Sequence, residues 1–162
     1  MNYEYFTQLE EGSLTKAENE TEQAFMEKVL SAVFTEKSEQ LRSRVNDMLD
    51  PQFVGCSAEE KSLSISFGVQ EWMLNPNGTL HGGVLSTAVD MGMSVLARYV
   101  RKQRGAATVQ LSINFIRPVN KEEEFIVTAS ADHSGRRSTV IRAEVVVKST
   151  GKLAATASGV FM

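Results

Sequence analysis

Residues 84–100 constrain the fold more than any other part of this 162-residue chain. The stretch holds no proline and a single glycine, Gly92, so little in it opposes a helix. Val84, Leu85, Ala88, Val89, Met91, Met93, Val95, Leu96 and Ala97 fall on almost every face of that helix. A surface helix needs only one apolar stripe, whereas a helix apolar nearly all round has to be enclosed. Its basic end, Arg98, Arg101, Lys102 and Arg104, suits the negative pole of the helix dipole, with Gly105 as the expected stop.

The flanking sequence supplies the enclosure. Before the helix, Leu63, Ile65 and Phe67 alternate with Ser64, Ser66 and Gly68, the period of a strand. After it, Val109, Leu111, Ile113 and Phe115 alternate with polar residues until Pro118. Three more strands are expected at residues 125–131, 138–147 and 153–161, joined by polar links at 120–124, 132–137 and 149–152. Such short links imply antiparallel hairpins or a meander. One long central helix wrapped by a curved antiparallel β-sheet satisfies this order, an α+β architecture.

Residues 1–50 read differently. Phe25, Met26, Val29, Leu30, Val33 and Phe34 make a helical stripe. Leu41, Val45, Met48 and Leu49 continue it beyond a polar stretch, Thr35 to Gln40, which is a break or an exposed turn. Pro51 closes the pattern. Residues 1–16 show no period and are expected to be a loose arm. We therefore divide the chain into a helical extension, 1–50, and a body, 51–162. The stripe is expected to pack on the body rather than lie on a membrane, because an anionic bilayer repels so acidic a segment.

Charge follows the same division. Residues 1–50 carry eleven acids and five bases; the body carries nine acids and twelve bases. That balance disfavours nucleic acid as a partner of the whole chain, yet leaves room for a local basic site. The acidic first residues and the lack of any apolar run near ~20 residues argue against a signal peptide or a membrane span. With a single cysteine, Cys56, no internal disulfide forms. Cytoplasmic residence is the expectation.

Candidate chemistry clusters where the enclosed helix begins: Asn75, Gly78, His81, Gly82 and Gly83, then Asp90. Paired glycines let backbone N–H groups approach a ligand, and a helix N-terminus favours developing negative charge. Those are the requirements of an oxyanion hole. Asp90 is a carboxylate on a helix otherwise apolar, hence a candidate base or nucleophile. Gly83 and Asp90 lie about 10 Å apart along one helix at ~1.5 Å per residue. Two copies packed antiparallel about a two-fold axis bring Asp90 of one toward Gly83 of the other, so a homodimer with composite sites is expected.

The run NPNGTLHGGVLSTAVD, residues 75–90, resembles the hotdog-fold acyl-CoA thioesterases of the 4-hydroxybenzoyl-CoA thioesterase superfamily, closest to the phenylacetate-degradation branch. TVQLSINFIRPV at 108–119 and SGRRSTVIRAEV at 134–145 carry the resemblance through residues 52–162. It implies the hotdog fold and hydrolysis of an acyl-CoA to free acid and coenzyme A, in a dimer or a dimer of dimers. By resemblance, the N–H of Gly83 or Gly82 polarises the thioester carbonyl, and Asp90 from the opposing subunit is base or nucleophile. Asn75 holds the carbonyl or the water, His81 orders the loop, and Thr108 orients the water. His81 and Asn75 also suit plain loop-stapling roles, and threonine is common in strands.

Coenzyme A ends in a phosphorylated nucleotide, which suits arginine and backbone N–H groups. Gly135, Arg136 and Arg137 in a hairpin turn, and Arg117 before Pro118, are the candidates for it. Met91, Met93 and Trp72 suit either an acyl pocket or the core. No metal or cofactor is expected: the chain has two histidines, His81 and His133, without ligand spacing. It lacks G-x-S-x-G and the glycine-rich nucleotide fingerprints. Two rival readings share the fold, an acyl-CoA hydratase or dehydratase and a non-catalytic acyl-CoA-binding protein.

Overall fold

A computed structural model describes residues 1–35 and 44–162. In chain order its elements are α1 (Glu4–Glu10), α2 (Glu22–Thr35), α3 (Val45–Met48), β1 (Gln52–Ser57), β2 (Ser62–Gly68), α4 (Gly82–Arg101), β3 (Thr108–Phe115), β4 (Glu124–Ser134), β5 (Thr139–Val147) and β6 (Leu153–Phe161). A short 3₁₀ turn, Glu71–Met73, precedes α4.

The enclosed helix is α4. Ten consecutive-turn positions from Leu85 to Ala97 are buried, including Met91 and Met93, which are core residues. Six antiparallel strands in the order β1-β2-β4-β5-β6-β3 wrap it. Gly92 lets helix and sheet come close: a Cβ there would sit 3.4 Å from Val127 Cγ1 and 3.5 Å from Ile65 Cδ1. The stacked rings of Phe67 and Phe125, 5.1 Å apart, fill the neighbouring layer. This α+β arrangement is the hotdog fold.

Several expectations need correction. Residues 116–123 do not make a hairpin, because β3 lies at the sheet edge beside β6 while β4 lies between β2 and β5; only β4-β5-β6 is a meander. The helix stops at Lys102 rather than Gly105, with Lys102 left-handed (φ 52) and its N–H returning to the Arg98 and Tyr99 carbonyls. An additional strand, β1, pairs with β2. Its alternation is interrupted by a bulge between Phe53 and Gly55, which hid it from a period-two reading.

The first residues are not a loose arm. Helix α1 buries Phe6 completely and Leu9 nearly so, against α2. Helix α2 buries the predicted stripe Phe25, Met26, Val29, Leu30, Val33 and Phe34 and covers β1, with Phe34 stacked on Phe53 at 6.3 Å. The stripe does not continue as expected: Leu49 is buried, but Val45 and Met48 are exposed. Most of the polar stretch, residues 36–40, and Leu41 lie outside the described residues. Among the described residues no helix is long and apolar enough to cross a membrane.

Candidate active site

The loop before α4 is built by Asn75. Its Oδ1 accepts the N–H groups of Asn77 (2.9 Å) and Thr79 (3.2 Å), and its Nδ2 donates to Thr79 Oγ1 at 2.9 Å. Main-chain bonds from Gly78 N–H to Asn75 O and from Asn75 N–H to Thr79 O complete the turn. Asn75 therefore staples the loop, with one Nδ2 hydrogen left over for another partner.

His81 caps α4. Its backbone is extended (φ −66, ψ 130), and its Nδ1 accepts the Gly83 N–H at 2.9 Å. An Nδ1 that accepts requires the ring proton on Nε2. The histidine thus closes off one of the two glycine N–H groups named as oxyanion donors. The Gly82 N–H has no acceptor among the described residues, as expected at the first residue of a helix. Gly82 borders a cleft of about 350 Å³ shared with Asn75, Thr79, Phe115 and Arg117. A helix N-terminus with an unspent N–H at the border of a cleft favours an anion or a carbonyl oxygen becoming one.

Asp90 stands two turns further along α4, half-buried, and Thr108 Oγ1 donates to its Oδ1 at 2.7 Å. The strand that carries Thr108 passes beside α4, so Phe115 at its other end lies against Gly82: a Cβ on Gly82 would be 3.3 Å from Phe115 Cζ. The Asp90 carboxylate is not sealed in the core, as its helix position suggested; its second oxygen has no partner among the described residues. Further along α4, Arg98 bonds Ser94 Oγ and the Arg104 carbonyl. Burial pulls that guanidinium below its usual value, opposed by the charge of Asp90.

Of the arginines proposed for a nucleotide end, Arg117 lines the Gly82 cleft and holds the Leu153 carbonyl at 2.5 Å. Gly135, Arg136 and Arg137 form the β4–β5 turn, whose neighbour Ser134 shares a cavity with Tyr99 and Lys102 at the opposite end of α4. One chain therefore does not bring that turn to Gly82. Trp72, 44% exposed, lies on the outer surface. Sequence reasoning overlooked Phe115 as a wall of the site. Its strand alternation pointed to it, but alternation says nothing about which glycine it faces.

The sequence and the fold have counterparts among known proteins. The thioesterase superfamily model matches residues 77–154. A Saccharolobus solfataricus protein named as an esterase is 35% identical over 61% of this chain and 70% of its own length. Acyl-coenzyme A thioesterase 13 of Mus musculus is 29% identical over 61% of this chain and 71% of its own. Among solved structures, Mus musculus thioesterase superfamily member 2 superimposes with a TM-score of 0.67 at 24% identity, covering 83% of this chain and 95% of that one. The chain belongs to the thioesterase superfamily, and its class of activity is thioester hydrolysis.

Proposed function

We propose that the chain hydrolyses acyl-CoA thioesters at a site shared by two copies. The observation that carries this reading is the layout of β3. One end holds the Thr108–Asp90 pair and the other lies at Gly82. Along α4, Gly82 and Asp90 are eight residues apart, about 12 Å at 1.5 Å per residue, too far to meet on one carbonyl.

Strand β3 is a free edge of the sheet and is mostly exposed, with Val109 at 54%, Phe115 at 56% and the following Ile116 at 47%. An apolar, unpaired edge invites pairing. Antiparallel pairing of β3 with β3 of a second copy sets the Thr108 end of one beside the Phe115 end of the other. Each Asp90–Thr108 pair then approaches the partner's Gly82, and two equivalent sites form about the two-fold axis.

In such a site the thioester oxygen accepts the Gly82 N–H. Thr108 holds one oxygen of Asp90, and the other takes a proton from a water. That water attacks the carbonyl carbon, the C–S bond breaks, and the coenzyme A thiolate leaves with the proton that Asp90 gained. The Thr108 hydroxyl, donating to Oδ1, fixes the direction in which the other oxygen meets the water. Water, one carboxylate and one N–H carry these steps without a metal or redox group. Arg117 in the cleft supports a phosphorylated leaving group, as does the acyl-coenzyme A named for the Mus musculus relative.

Complementation tests the reading. Thiol release from a panel of aryl, short-chain and long-chain acyl-CoAs is measured for Asp90→Asn, for Gly82→Pro, and for their equimolar mixture after exchange of chains. Each variant alone should lose roughly 10²–10⁴-fold in kcat. The mixture should recover about a quarter of the parent rate, because half the dimers are mixed and each has one intact site. No recovery, or a fully active Asp90→Asn protein, overturns it.

A further inference from the structure

We infer a second ligand site, separate from the Gly82 cleft, that takes a fatty monocarboxylate with its tail along an apolar wall and its head at a lysine rim. A cavity of about 610 Å³ opens between the N-terminal segment and the far end of α4. It is within the ~300–1,000 Å³ usual for small-molecule sites. Its wall is apolar where the extension contributes: Leu9, Leu14, Phe25 and Met26, facing Val100 of α4. From Gly82 to Lys102 is twenty residues of helix, about 30 Å, and from Asp90 to Tyr99 nine residues, about 14 Å, at 1.5 Å each; the cavity shares no lining residue with the Gly82 cleft.

The rim is basic. Lys16 is neutralised by Glu22 at 3.1 Å. Lys61 and Lys102 also line the cavity, and neither has an anionic partner among the described residues. Both stand at left-handed backbone positions, φ 48 and φ 52, where glycine would sit without strain. The chain thus keeps a long cationic side chain at two places where a turn alone favours none. Tyr99 adds a hydroxyl with no hydrogen-bond partner among the described residues. Burial pushes its phenol up to about 12, which keeps it a proton donor at neutral pH.

Two unpaired ammonium groups and a phenol O–H match the two oxygens of a carboxylate. The apolar wall behind them matches an unbranched tail, whose transfer from water favours binding with every methylene. A zwitterionic or cationic head gains nothing from such a rim, and a tail-less anion leaves the wall wetted. The site rests on this geometry and does not depend on the hydrolytic reading.

Calorimetric titration of the full chain with laurate tests the site, with no acyl-CoA present. Saturable binding is expected, about fifteen-fold tighter than decanoate, from roughly four-fold per methylene. Dodecyltrimethylammonium, with the same tail and the opposite charge, should not bind. The double variant Lys61→Ala/Lys102→Ala should weaken laurate at least tenfold, and Tyr99→Phe about tenfold, while thiol release from acyl-CoA is unchanged. Gly82→Pro should bind laurate as the parent does. Absence of laurate binding, indifference to the lysine pair, equal binding of the cationic amphiphile, or loss of laurate in Gly82→Pro would each refute the site.

Discussion

Replacing Gly82 by proline isolates one backbone N–H. Proline removes the donor proposed to hold the thioester oxygen, and this is a position where the fold has little objection. Gly82 is the first residue of α4, where proline is tolerated because that N–H has no intrahelical acceptor. The residue before it, His81, already has φ −66 and ψ 130, the extended conformation a following proline requires. The cost is steric: the new Cβ meets Phe115 Cζ at 3.3 Å, closer than ordinary contact. That ring is 56% exposed, so it can swing by the few tenths of an ångström needed.

Gly82→Ala adds the same Cβ and keeps the N–H, so it is the control for crowding. Loss of one oxyanion donor is worth about 10²–10³ in kcat, or ~2.7–4 kcal/mol of transition-state stabilisation. Steady-state thiol release should therefore place the alanine variant within about threefold of the parent and the proline variant 10²–10³ below it. Thermal unfolding followed by circular dichroism should leave both near the parent Tm. An alanine variant as slow as the proline one would mean that crowding acts and the N–H does not. A fully active proline variant would remove Gly82 from the mechanism.

Two other substitutions address neighbouring residues. Thr108→Val deletes the O–H that orients Asp90 Oδ1 and should lower kcat about ten- to a hundred-fold with a small change in KM, since a hydrogen bond to a charged group is worth ~1.5–3 kcal/mol; Thr108→Ser should restore most of it, and an unaffected valine variant would make the contact incidental. Asn75→Ala leaves the Asn77 and Thr79 N–H groups without their acceptor and should cost about 1–3 kcal/mol in urea unfolding. Asn75→Asp keeps both acceptor bonds and should recover most of that stability; an alanine variant as stable as the parent would contradict the stapling role.

Periodicity recovered the elements whose burial is regular. Helix α4 and strands β3 to β6 were legible because their apolar residues repeat with the helix or strand period. Strand β1 was not, since its bulge breaks the alternation. Helix α1 is only seven residues long, too short for Tyr3, Phe6 and Leu9 to stand out as a stripe. The polar links misled for a different reason. A short link says that two strands are near in sequence, not that they pair, and β3 crosses to the far edge instead.

By itself, the sequence determined that an apolar helix must be wrapped by strands, that a glycine-led turn opens it, and that Asp90 rides on it. It did not determine which glycine keeps a free N–H. That was decided by the His81 ring, which folds back onto Gly83 and leaves Gly82 unspent. Nor did it show that Thr108 would reach Asp90 or that Phe115 would wall Gly82. Both contacts join residues distant in the chain, and only the packing of β3 along α4 brings them within van der Waals or hydrogen-bond range. Local pattern records which way a side chain faces. What it faces depends on elements closing over one another, and so the site was visible as residues before it was visible as geometry.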